Sequence, residues 1–267
     1  MTIISSEPIN HTCLKRQNIL ITGAAGRIGS ATAKLTWQAG CNLLLTDIAQ
    51  EPLEALAEEL AKRENSSVHI ICADITTQNG INDLIKEAYN LLGRIDGAVH
   101  SAYPVSKGWG STFEELTAEN LHQDLAMQLG GAILFSREIL RYFQSQGGGS
   151  LVHISSIQGV QAPKFDHYCG TNMNSPIEYA AIKAGIISIT RWLAKYYTSQ
   201  DIRVNCVSPG GILDAQPTSF LEKYRQSCTN IGMLSAEHVA STIIYLLSSA
   251  SVAINGQNII VDDGWTL

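Results

Sequence analysis

Seven short apolar runs recur along the chain: NILIT (18–22), CNLLLT (41–46), SVHIIC (67–72), IDGAVH (95–100), SLVHIS (150–155), IRVNCV (202–207) and NIIVD (258–262). Between them lie segments with apolar residues at helical spacing, near 27–39, 51–63, 77–92, 117–145, 176–199 and 235–248. Runs that are apolar at consecutive positions belong to strands buried on both faces. Strand and helix alternating at this interval means parallel neighbours joined by crossover helices. The pattern predicts an α/β fold, a doubly wound and mainly parallel seven-stranded sheet with helices on both faces. No Pro/Ser/Gly-rich linker divides the chain, since QGGGS (146–150) fits a turn leading into a strand. One domain is expected over 14–267, after a polar extension at 1–13.

Composition excludes several partners. A formal net charge of −6 disfavours nucleic acid and anionic membrane surfaces, and no apolar stretch approaches the roughly 20 residues of a membrane span. The opening MTIISSEPINHTC has neither a basic start nor an apolar signal core, so no export is expected and the cytoplasm is the expected compartment. Six scattered cysteines with no CxxC pair fit a reducing compartment. Cys41, Cys72 and Cys206 lie at or within apolar strands, where buried free thiols are common. The histidines lack metal-ligand spacing, and no metal is expected.

The chemistry begins at ILITGAAGRIGSATAK, where Gly23, Gly26 and Gly29 sit between a strand and a helix N-terminus. Free backbone N–H groups and the helix dipole favour a pyrophosphate there, and glycine lets the backbone approach it. A tight turn without ligand is the alternative. Asp47 ends the second strand, 18 residues after Gly29 (47 − 29). An acid there can accept from both adenosine ribose hydroxyls of NAD and repel a 2′-phosphate, or it can cap the next helix. Asp74 in CADIT can bind the adenine amino group, or serve as a loop cap.

Tyr179 and Lys183 in EYAAIK stand at i and i+4 on one helix face. A nearby ammonium stabilises tyrosinate, lowering the tyrosine pKa for proton exchange with an alcohol or carbonyl. SLVHISSIQG ends a strand at Ser155-Ser156, where the hydroxyl of Ser156 can polarise a substrate oxygen or cap a turn. Tyr168 is the rival tyrosine, 12 residues after Ser156 (168 − 156) against 23 for Tyr179 (179 − 156). Four residues beyond Tyr168 stands Asn172, which carries no positive charge, so Tyr179 is the expected acid.

TGAAGRIG, Asp47, Asp74, the serine-ended strand, YAAIK, RVNCVSPGGI and INGQNIIVDDG together resemble the short-chain dehydrogenase/reductases, in order from about Leu14 to the C-terminus. The resemblance implies a Rossmann-type sheet, a nicotinamide cofactor and a Ser156–Tyr179–Lys183 catalytic group. It also implies that Lys183, with Tyr179, binds the nicotinamide ribose, and that Pro209, Gly210 and Ile212 face the carboxamide. Arg27 and Ile28 in the turn, Ile75 beside Asp74, and Ser101 and Ala102 complete the implied cofactor set.

Several positions depart from the family pattern. Arg27 stands where the compact branch has its middle glycine, and His100-Ser101-Ala102-Tyr103 replaces the NNAG loop. Gln128 replaces the proton-relay asparagine, and Asp214 a threonine. SAYP, LGGAILF, YCGTNMNSPIEYAAIKAG and INGQNIIVDDGWTL are similar to the PtmA-type flagellin-modification oxidoreductases, associated with pathways to legionaminic-acid-type sugars. The implied function is NAD-dependent interconversion of a hydroxyl and a ketone on a small molecule, a sugar or sugar phosphate, by a cytoplasmic homo-oligomer (dimer or tetramer). NADP is the less favoured cofactor. A 3-oxoacyl or small-ketone reductase and a non-catalytic NAD-binding regulator are the alternatives. The enlarged gap QAPKFDHYCGTNMNSP is expected to line the substrate pocket with His167, Tyr168 and Asn172, together with Tyr103 and the segment after Gly210. An oligomer contact or a bare surface loop is its alternative.

Overall fold

The runs become strands β1 (Asn18–Thr22), β2 (Asn42–Asp47), β3 (Val68–Cys72), β4 (Gly97–His100), β5 (Gly149–Ile154), β6 (Ile202–Pro209) and β7 (Asn258–Val261). A computed structural model of the chain describes residues 14–61 and 66–267; the expected extension 1–13, with Cys13, lies outside the described residues. The strands form one sheet in the order β3-β2-β1-β4-β5-β6-β7. Every pairing is parallel.

The helices are α1 (Arg27–Gln38), α2 (Gln50–Leu60), α3 (Gln78–Leu92), α4 (Ala118–Asp124), α5 (Gly131–Gln146), α6 (Ile177–Tyr196), α7 (Thr218–Gln226) and α8 (Ala236–Leu247). Strand alternation divides the core into two layers. Ile19, Ile21, Leu43, Leu45, Val99 and Val152 pack with Trp37 of α1, Leu53 of α2 and Ile243 of α8. Leu20, Leu44, Ala98, Leu151 and Val204 pack with Leu84 of α3, Phe135 of α5 and Ala194 of α6. A one-residue slip would exchange these sets, so the two apolar layers fix the register. Chain order reverses between β1 and β4, which puts the crevice of a doubly wound sheet at the carboxyl ends of these strands.

Three local features differ from expectation. The helix expected over 117–145 is broken: α4 passes into a π-helical turn, Leu125–Gly130, before α5. Asp124, at that junction, is fully buried and accepts from the Ser106 backbone N–H (2.7 Å) and Oγ (2.8 Å). Helix α7 has no counterpart in the sequence reading, because only Phe220 and Tyr224 of its nine residues are buried. Cys72 is exposed, unlike Cys41 and Cys206. It lies on β3, an edge strand whose outer faces are only partly covered.

Candidate active site

The glycine turn is shaped by backbone crowding. Gly23 has φ +64°, and a Cβ there would stand 2.6 Å from the backbone of Ala102. At Gly29 a Cβ would lie 2.1 Å from the Gly23 carbonyl oxygen, so a side chain at Gly23 would force the turn from the segment after β4 and one at Gly29 would force α1 from the turn. Ser101 Oγ donates to the Thr22 carbonyl (2.8 Å), tying the two strand ends together. Gly26 caps α1 without a side-chain bond, and no acid stands in the first turn. The first-turn N–H groups therefore remain as donors for an anion, and these residues fit a dinucleotide pyrophosphate.

Two cavities meet at this turn, sharing Gly26, Ser101 and Tyr103 in their linings. The first, about 420 Å³, is lined by Gly23, Asp47, Asp74, Ile75 and Ala102. Asp47 Oδ2 accepts from Ala25 N (3.0 Å) and Oδ1 from Ala49 N (3.0 Å), so its carboxylate braces the turn and the start of α2 at once. Asp74 Oδ1 accepts from Thr76 N (2.9 Å) and Oγ1 (2.7 Å), while Thr77 itself caps α3. Both acids thus combine a local backbone role with a place in the cavity wall.

The second cavity, about 460 Å³, is lined by Arg27, Ile28 and Gly29 on one side and Pro209, Gly210 and Ile212 on another. Ser156, Tyr179 and Lys183 line it as well. Ser156 follows β5, is 6% exposed, and its Oγ accepts from Gln158 N (3.2 Å). The Ser156 side chain also lies close enough to the Tyr179 hydroxyl to lower its pKa. Lys183 Nζ donates to the Ile154 carbonyl (3.1 Å), and Ser155 Oγ donates to the Lys183 carbonyl (2.7 Å). The end of β5 and the first turns of α6 are thereby joined twice. Across the 23-residue gap (179 − 156), Ser156 and Tyr179 line the same cavity.

The electrostatics depart from the expected picture. Burial pushes the Tyr179 hydroxyl up, and the Ser156 side chain pulls it partly back. Burial also lowers Lys183, to about 8. The ammonium stands 5.5 Å from the centre of the Tyr179 ring and 5.1 Å from that of Tyr103. It faces two aromatic rings, and the tyrosine pKa is raised rather than lowered because burial of the phenol dominates.

The long segment after Ser156 only partly follows expectation. His167 and Tyr168 line the second cavity, as does Tyr103, whose ring meets those of Tyr179 and Trp109 edge-on. His167 is buried and hydrogen-bonds Ser227 Oγ (3.0 Å). Tyr168 Oη accepts from Gln158 Nε2 (3.3 Å). Asn172 is exposed and lines neither cavity, although its neighbour Met173 lines the second. Gln128 also lines neither cavity. It is buried in the π turn, and both its amide atoms lack a partner. The segment after Gly210 lines this cavity through Gln216, Phe220 and Tyr224, though those individual residues, and Trp265, were not singled out in the sequence. The four-residue spacing of Phe220 and Tyr224 was the available signal.

The family model that matches is described as enoyl-(acyl carrier protein) reductase and spans residues 23–266. The chain is a short-chain dehydrogenase/reductase. It is 42% identical over 255 residues to post-translational flagellin modification protein A of Campylobacter coli, covering 95% of this chain and 100% of that one. It is 31% identical to a 3-oxoacyl-[acyl-carrier-protein] reductase of Thermotoga maritima, over 92% of this chain and 96% of the relative. A short chain dehydrogenase of Leptospira borgpetersenii, solved with bound NAD+, superposes with a TM-score of 0.85 at 28% identity, covering 100% and 98% of the two chains. Short-chain dehydrogenase/reductases bind a nicotinamide cofactor and act on CH–OH groups of small molecules, which is the chemistry of this chain. No helix among the described residues is long and apolar enough to cross a membrane.

Proposed function

We propose that this short-chain dehydrogenase/reductase uses NAD to interconvert a hydroxyl and a ketone on a sugar or sugar phosphate, in the cytoplasm, during synthesis of a flagellin-type surface glycan. The carrying observation is that Ser156, Tyr179 and Lys183 line one cavity, the second, which meets the first at the glycine turn. Likeness to the Campylobacter protein supports the pathway. When bound, the nicotinamide supplies or accepts hydride at the carbon. In the reduction direction Tyr179 donates the proton, and Ser156 stabilises the developing oxyanion by hydrogen bond. Lys183 holds its ammonium beside the pair and fixes the ribose. Following NADH oxidation against a panel of keto-sugars tests this reading. Turnover of 3-oxoacyl thioesters alone would replace it with the acyl reductase, and binding without any turnover with the regulator.

The acyl reading has support in the 31% relative. An acyl carrier is acidic and favours a basic rim at the entrance. Here Lys223 Nζ donates to the carbonyls of Asp166 (3.0 Å) and Cys169 (2.8 Å), and Arg225 to that of Ile231 (2.8 Å), so these cations are turned toward backbone. A homo-oligomer, dimer or tetramer, formed through α5 and α6 is part of the proposal. It is supported by the stacked, exposed Trp192 and Tyr196 on α6.

Two substitutions test the two cavities separately. Asp47→Ala weakens NAD binding and narrows its gap from NADP, because the carboxylate that repels a 2′-phosphate is gone. Equal affinities of the unaltered enzyme for both cofactors by calorimetry would overturn the assignment. His167→Ala raises KM for the keto-sugar several-fold and leaves NAD affinity unchanged, whereas Asn172→Ala changes neither. Steady-state kinetics with matched calorimetry distinguish these outcomes.

A further inference from the structure

Two departures from the family pattern meet in space: the Arg27 guanidinium forms an ion pair with the Asp214 carboxylate, joining the start of α1 to the loop after β6. Arg27 is the first residue of α1, and a cation there opposes the helix dipole. No acid in the first turn offsets it, so the balancing anion comes from Asp214. Both side chains are about half exposed, and a pair of this kind adds little to folding stability. Its effect is to be sought in what it borders.

The second cavity is lined by Arg27 and Gln216 but not by Asp214, so the ion pair joins a cavity residue to one outside it. The acid is held in place by its own loop. Asp214 N donates to Gln216 Oε1 (2.7 Å), and Gln216 Nε2 donates to the Ile212 carbonyl (2.9 Å). Leu213 N and Leu234 N make further backbone bonds, to the carbonyls of Leu234 and Gly211 (each 2.8 Å). A guanidinium has five N–H donors in a planar fork, enough to serve a carboxylate and a second anion together. Beside it lie the uncapped N–H groups of α1.

We propose that Asp214 is a positioning residue that holds Arg27 over the diphosphate of the bound dinucleotide. This rests on the two cavities being a nicotinamide dinucleotide site. Asp214 orients the guanidinium, and Arg27 screens the carboxylate from the diphosphate.

The test uses ligands that share or lack the diphosphate: NADH, ADP-ribose and adenosine, with affinities read by calorimetry or by competition against NADH fluorescence. Asp214→Asn is expected to weaken NADH and ADP-ribose alike, by about three- to tenfold, and to leave adenosine unchanged. Arg27→Gln weakens the same two ligands, and the double variant is no weaker than Arg27→Gln alone, as expected when one residue acts through the other. The inference is overturned if Asp214→Asn binds ADP-ribose as the unaltered enzyme does. It also falls if adenosine is weakened equally, which would mark a general loosening of the cleft, or if the two substitutions add. Failure of the unaltered enzyme to bind either NADH or ADP-ribose would instead remove the cofactor reading itself.

Discussion

Tyr179→Phe is expected to lower kcat by about 10²- to 10⁴-fold while NADH affinity stays within a factor of two or so. The ring, its burial and its contact with Tyr103 survive the substitution, and only the hydroxyl that meets Ser156 is lost. Tyr168→Phe is the control: its hydroxyl accepts from Gln158 Nε2, so KM shifts modestly and turnover persists. Substantial activity in Tyr179→Phe, with loss in Tyr168→Phe, would reverse the assignment. Direction of reaction adds a second readout. Burial raises the Tyr179 hydroxyl, so it remains protonated through neutral pH, as carbonyl reduction requires. Alcohol oxidation needs the tyrosinate and strengthens toward alkaline pH. Lys183 loses its charge near pH 8, which places a further change in the reduction profile on that side.

Stability is expected to fall steeply on mild acidification. His100 and His153 lie buried within the sheet and its helix contacts, and their rings meet edge-on at 6.3 Å. His153 is held by Ser136 Oγ and Thr190 Oγ1 (both 2.8 Å), and His100 by Thr22 Oγ1 (3.0 Å). Burial pushes His100 down to about 3 and His153 to about 4. A base whose folded pKa is depressed keeps its full stabilising contribution above the unfolded value near 6.5. That contribution is lost as pH falls from there toward the folded value, because the unfolded chain takes up the proton first. At pH 5 the loss is about 2 kcal/mol for each histidine, roughly 4 kcal/mol for the pair. Urea titrations at pH 7.5 and pH 5 measure it. His100→Asn should remove about half of the difference whatever its effect at pH 7.5, since the slope counts protons. No change between the two pH values would refute neutral histidines.

The sheet and the glycine turn were legible because parallel strands buried on both faces leave long apolar runs, and because Gly23 and Gly29 answer local crowding. The proximity of Ser156 and Tyr179 was legible only through Lys183, whose spacing from Tyr179 is a helix property and independent of the loop before it. The π turn was not, since LHQDLAMQLGG carries an ordinary helical pattern and the break depends on how Asp124 and Gln128 pack. Helix α7 was missed because it buries two residues against His167, Tyr168 and Trp265, contacts supplied by segments distant in sequence. The expected fall in the Tyr179 pKa failed for a related reason. Spacing gives the neighbour, while desolvation depends on the whole surrounding fold.

The paired bonds between β5 and α6 have a consequence for how such an enzyme diversifies. Lys183 Nζ to Ile154 and Ser155 Oγ to Lys183 clamp the two ends from which the segment 157–176 hangs. Gly159, where a Cβ would stand 2.6 Å from the Lys183 backbone, belongs to the clamp, and the residues beyond it can change in length and composition without breaking these bonds. That stretch is expected to behave as an exchangeable cassette, reshaping its side of the cavity while the wall formed by α7 and Trp265 and the clamped hydroxyls stay in place.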